Sequence, residues 1–100
     1  MLDQQLKALW QGFAGALAVR DKLKAMQYMT ASARTRYGPV FDVLLPDLPQ
    51  IVGSFSPPLR AQLGTGYSEY AVVREIEGLR RVYLIQFVQQ TDGLWRIESM

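Results

Sequence analysis

The chain of 100 residues contains no cysteine and no histidine. Without cysteine there is no disulfide framework and no thiolate nucleophile. Without histidine no triad can use imidazole as its base, and the two absences together exclude zinc sites of ordinary type. No cofactor is implied. Excess charge is scarce as well: eleven Lys and Arg face nine Asp and Glu, leaving a net +2. The basic residues gather only in short groups such as Arg34 with Arg36 and Arg80 with Arg81, whereas nucleic-acid modules concentrate a longer cationic stripe. Nucleic acid is therefore not an expected partner. Long apolar runs are missing too. The longest uncharged stretches, Ala8–Val19 and Leu48–Leu59, reach twelve residues, and a membrane-spanning helix needs about twenty. Asp3 and Gln11 interrupt what would otherwise imitate a signal peptide. A cysteine-free chain suits an oxidising or a reducing compartment equally.

Apolar residues of the AVILMFWYC set make up 49% and charged ones 20%, the composition of a globular chain with room for one core. We expect a single domain, helical over 2–56 and built of antiparallel strands over 59–100. Leu2, Leu6, Leu9, Trp10, Phe13 and Leu17 line one side of a helix. Gly12 and Gly15 each cost about 1 kcal/mol in a helix interior, which points to another element packed close to that backbone. Asp21 suits the cap of a short second helix carrying Leu23, Ala25, Met26, Tyr28 and Met29. Ser32 or Thr30 starts a third, through Tyr37, Val40, Phe41, Leu44 and Leu45, with a kink or split expected at Gly38 because Pro39 follows. A fourth helical turn follows Asp47, burying Ile51, Val52 and Phe55, and Ser56-Pro57-Pro58 ends the helical half.

Beyond Pro58 the period becomes two. Leu59, Ala61 and Leu63 alternate with Arg60 and Gln62, and strands follow over 67–76, 80–90 and 94–100, separated by Gly64-Thr65-Gly66, Glu77-Gly78 and Thr91-Asp92-Gly93. Short turns make the four strands antiparallel. A three-residue loop with left-handed Gly93 places Phe87 opposite Ile97, Gln89 opposite Trp95, Val88 opposite Arg96 and Gln86 opposite Glu98. Tyr83, Ile85, Phe87, Trp95 and Ile97 then face the helices. At Gly78 two registers are acceptable, one burying Tyr70 with Val72 and the other Ala71 with Val73. The opposite face carries Val82, Leu84 and Val88 with Leu94, Arg96 and Met100. This is more apolar than a solvated face should be, so a second copy of the sheet or a neighbouring domain of a longer protein is the expected cover.

The amphipathic first helix, the short helix opened by Asp21 with Ala25 and Tyr28, and the closing pair of Tyr83-Leu-Ile-Gln-Phe-Val with Asp92-Gly-Leu-Trp-Arg-Ile resemble the NTF2-like (cystatin-like) superfamily. The resemblance covers nearly the whole chain. It implies an α+β cone, a curved sheet wrapped on the helices, with dimerisation through the outer face of the sheet. The chain departs from longer members where helices over 31–55 replace additional strands, and it looks like a small version, similar to uncharacterised bacterial domains attached to larger extracytoplasmic proteins.

Enzymes of that superfamily use Asp, His, Tyr or Arg inside the cone. The residue here best suited to act as a base is Asp42 beside Phe41, with Tyr28, Tyr37 or Tyr83 as hydrogen-bond donors. An exposed helical aspartate is the commoner role for such a position, and no catalytic residue is assigned. Glu98 is expected to pair on the surface with Arg80, Arg81 or Arg96. Two readings follow: a non-enzymatic scaffold that dimerises through its sheet, or a cone that takes a small apolar ligand or substrate between the first helix and the sheet, lined by Trp10, Tyr28, Tyr37, Asp42, Tyr83 and Trp95.

Overall fold

The helical spacing of Leu6, Trp10, Phe13 and Leu17 becomes α1 (Leu2–Ala18), which buries these four side chains together with Ala16. The computed structural model describes residues 2–100. The end of α1 is a Schellman turn: Arg20 takes a left-handed φ of 59°, Arg20 N donates to the Leu17 carbonyl at 3.0 Å and Asp21 N to that of Ala16 at 2.8 Å. Such turns usually place glycine at this position. Here the arginine side chain reaches across instead, donating to the carbonyls of Leu45 at 3.2 Å and Pro46 at 3.1 Å.

Asp21 caps α2 (Lys22–Met26) by accepting from Lys24 N at 3.1 Å. The helix is shorter than its apolar residues suggested, and Leu23 is exposed rather than inside. Met29 has already left it, forming a parallel bridge with Ile97. Thr30 is the cap of α3 (Ala31–Leu44), accepting from Ala33 N at 3.1 Å. No split occurs at Gly38: the helix runs unbroken through Pro39, held by the Thr30 cap before it and by Phe41 in the core after it. A 3-10 turn over Leu45–Asp47 leads into α4 (Leu48–Gly53), where Leu48 is the buried residue. Ile51, Val52 and Phe55, expected inside, are only half-buried.

The second half is an antiparallel meander in the order β1-β2-β3-β4, from β1 (Leu59–Leu63), β2 (Tyr67–Ile76), β3 (Leu79–Gln89) and β4 (Trp95–Ser99). The fold is thus a small α+β domain with an open sheet. Glu77 and Gly78 both adopt positive φ, 51° and 80°, as a two-residue type I′ hairpin requires. That turn selects the register that pairs Tyr70 with Ile85 and Val72 with Tyr83, so Tyr70 and Val72 form the buried set. In the last hairpin Phe87 faces Ile97, Val88 faces Arg96 and Gln89 faces Trp95, with Gly93 left-handed as expected.

Two bulges depart from plain alternation. In β1 the register shifts between Arg60 and Gln62, so that Leu59 pairs with outward Ala71 while Leu63 pairs with inward Ser68. The uniform face expected for Leu59, Ala61 and Leu63 is lost, and the strand is exposed throughout. In β4 Gln86 faces Ser99, not Glu98. The extra residue is Glu98, turned toward α3, where Thr30 Oγ1 donates to its Oε2 at 2.7 Å and Arg36 lies 3.6 Å from Oε1. Its ion-pair partner is therefore Arg36, not Arg80, Arg81 or Arg96. A one-residue bulge reverses the face of everything after it, and Met100 consequently packs against the core rather than on the outer face.

One core joins the layers. Leu6, Phe13, Met29, Tyr70, Ile85, Phe87 and Ile97 are essentially sealed from solvent. The Tyr70 hydroxyl donates to Asp3 Oδ1, tying the start of α1 to the middle of β2. That bond lowers the Asp3 carboxyl below its usual range. Burial, reinforced by the hydrogen bond to Asp3 and its charge, raises the Tyr70 phenol.

Candidate functional site

The half-buried residues of α4 open a space instead of filling one. A pocket of about 270 Å³ lies where α1, α3 and α4 meet the sheet. Trp10, Phe13 and Leu17 form its α1 wall, Tyr37, Phe41 and Leu44 its α3 wall, and Leu48, Val52 and Phe55 the wall from α4 and its exit. The sheet contributes Tyr83 and Arg74, and Met100 closes one side. These walls follow from local sequence. Helical spacing aims Trp10, Phe13 and Leu17 the same way, and Pro46 and Pro49 start successive turns that carry α4 back over α1. The bulge at Glu98 delivers Met100.

The aromatic rings interlock around the space. Trp10 lies 5.4 Å from Phe13 and 6.1 Å from Phe55, Phe55 meets Tyr83 edge-on at 5.8 Å, and Tyr37 stacks on Phe41 at 6.2 Å. Such pairs contribute roughly 0.5–1.5 kcal/mol each beyond burial, so the walls are fixed by contacts that do not depend on an occupant. Polar groups are few. The Tyr37 hydroxyl is committed to the C-terminal backbone, donating to the Met100 carbonyl and accepting from its N, both at 3.1 Å. Among the described residues the Tyr83 hydroxyl has no hydrogen-bond partner. Arg74 Nε donates to Ser54 Oγ at 2.7 Å, leaving its terminal nitrogens free.

Of the residues that the sequence nominated, Trp10, Tyr37 and Tyr83 meet in this pocket, whereas Tyr28, Asp42 and Trp95 do not. Tyr28 lies instead over Gly12. Asp42 is 62% exposed and takes an ion pair from Lys22 Nζ at 2.6 Å, because its place on α3 faces away from the core. It has no access to the pocket and is not a base within it. Trp95 is buried in the main core. The wall from α4, and Arg74, escaped the sequence reading. Arg74 had one signal, which is that it shares the inward parity of Tyr70 and Val72, but this became readable only with the register fixed.

On the outer face Val82 and Leu84 are 60% and 49% exposed, and Leu94 is exposed at the far end of β3, beside Gln90. Val88 is half-buried, and Arg96 is held by Asp92 Oδ2 at 3.1 Å. Among the described residues no three acidic side chains cluster as metal ligands, and no helix is long and apolar enough to cross a membrane. Comparison with protein-family models, curated proteins and solved structures finds no significant match to the chain.

Proposed function

We propose that the protein is a non-enzymatic binding domain that holds a small apolar ligand between its helices and its sheet. The observation that carries this reading is the pocket of about 270 Å³ walled by Trp10, Phe13, Phe41, Val52, Phe55 and Tyr83. Its size is near the lower end of the roughly 300–1,000 Å³ usual for small-molecule sites, which fits a single aliphatic chain or a small ring system. Among the described residues no Asp or Glu lines it, and proton transfer needs a positioned acid or base. The neutral probe N-phenyl-1-naphthylamine should bind one to one, with energy transfer from Trp10. Val52→Trp, which fills the space with an indole, should abolish that signal while preserving the far-ultraviolet circular dichroism. Probe fluorescence indifferent to Val52→Trp would refute the reading.

The NTF2-like kinship belongs to the same proposal. Its support is the order of helices followed by a four-stranded meander, with the Asp92-Gly93-Leu94-Trp95-Arg96-Ile97 segment forming the final hairpin and its Trp and Ile buried. A second reading, self-association through the sheet, is favoured by the exposed aliphatics Val82, Leu84 and Leu94. The same face carries Glu69 and Glu75 on β2 and Arg80 on β3, so it offers both charge signs to a copy of itself. Sedimentation equilibrium should report a dimer that Leu84→Glu converts to monomer. A wild-type chain that stays monomeric at millimolar concentration removes this second reading.

A further inference from the structure

The pocket is apolar along its walls and cationic at its sheet end. Arg74 and Arg81 are direct cross-strand partners, and by parity with Val72 and Tyr83 both lie on the helix-facing side. Like charges placed opposite each other on one sheet face destabilise it. A neighbouring carboxylate would ordinarily offset this, yet among the described residues neither arginine has one within 4 Å, all four ion pairs being made elsewhere. Arg74 lines the pocket itself, and Ser54 Oγ fixes its Nε so that the paired terminal nitrogens remain to donate. Tyr83, also in the lining, adds a free hydroxyl two residues along β3 from Arg81.

The geometry points to a single-chain aliphatic carboxylate as the ligand, its chain among Trp10, Phe41, Val52 and Phe55 and its carboxylate on Arg74, with Arg81 contributing charge and the Tyr83 hydroxyl a further donor. This deepens the binding role proposed above and rests on it. A guanidinium presents two parallel N–H groups to two carboxylate oxygens, and a carboxylate placed there relieves the repulsion between the two arginines. The apolar walls account for affinity and the arginine pair for the choice of head group.

Competition against N-phenyl-1-naphthylamine at neutral pH tests this with decanoate and decanol, which share a chain length and differ in charge. Decanoate should displace the probe about tenfold more effectively, the scale of a charge-assisted hydrogen bond. Arg74→Gln should bring the two within about threefold, chiefly by weakening decanoate. Wild-type protein supplies an independent readout should that variant fold poorly: raising sodium chloride should weaken decanoate and spare decanol. Equal competition by both, salt-independent decanoate binding, or a decanoate preference that survives in Arg74→Gln would each overturn the assignment while leaving the apolar pocket intact. Failure of the neutral probe to bind at all would remove the pocket reading as well.

Discussion

The phenol ring of Tyr28 rests on the bare backbone of Gly12, so that a Cβ added there would fall 2.6 Å from the Tyr28 hydroxyl oxygen and 2.9 Å from the ring carbon bearing it. Gly15, one turn along the same helix, has nothing within 4 Å of its Cβ position. Of these two helical glycines, Gly12 is therefore the one kept small by packing. Gly15→Ala should stabilise the protein by about 0.5–1 kcal/mol through helix propensity alone. Gly12→Ala should destabilise it, and in a Tyr28→Ala background the same change should become favourable. Urea midpoints for the four variants complete the cycle.

The Asp3–Tyr70 hydrogen bond predicts pH dependence at both extremes. Its effect is to lower the Asp3 carboxyl below the ordinary 3.8, so that contribution is present above that value and lost as pH falls through the folded-state pKa. The Tyr70 phenol is raised above 10.0, by burial first and then by Asp3. Its contribution is complete below pH 10 and lost as pH rises toward the higher folded value. Tyr70→Phe should consequently flatten stability above about pH 10 and reduce the loss between about pH 5 and 2. Some acid sensitivity should persist, because Asp92 is also lowered, chiefly by the Leu94 N–H. Denaturant midpoints across pH are the measurement.

Arg20 combines a left-handed backbone with two long-range hydrogen bonds to Leu45 and Pro46. Arg20→Ala removes the bonds and keeps the strain, whereas Arg20→Gly removes both. Both variants should be less stable than wild type, with glycine the milder by about 1 kcal/mol. Thermal melts that rank alanine above glycine would show that the turn carries no such strain.

Thr30 both caps α3 and donates to Glu98 Oε2. Thr30→Ala should cost about 1–2 kcal/mol, and Thr30→Ser should recover most of it. Since this contact holds the bulge that aims Met100, the alanine variant should also weaken pocket binding, read with the neutral probe.

Much of this fold was legible in the sequence where one period dominated. The face of α1, the cap at Asp21 and the three-residue loop at Gly93 each follow from a local rule, whereas the cap of α3, open between Thr30 and Ser32 in the sequence, is decided for Thr30 by the structure. In β4 a long-range partner overrode the local pattern. Alternation through β4 could not reveal that Glu98 would be drawn toward Thr30 and Arg36, and with that bulge went the position of Met100. Helical periodicity likewise marked Val52 and Phe55 as core, since half-burial around a cavity and full burial have the same apolar signature. Trp10, Tyr37 and Tyr83 reach the pocket because they lie on elements whose inward face was correctly read. Asp42 failed because a carboxylate next to a buried phenylalanine on a helix points about 100° away from it.

The two borders of the sheet are unlike. Along β4, Thr30 N donates to the Ile97 carbonyl at 3.0 Å and Ile97 N to that of Tyr28 at 2.8 Å, so that border is occupied by the chain itself. Among the described residues no strand lies outside β1. Antiparallel joining of two chains through β1 would consume the uncovered border of each. Strand addition through β1 would close at a pair, where a sheet with two open borders would extend into fibres.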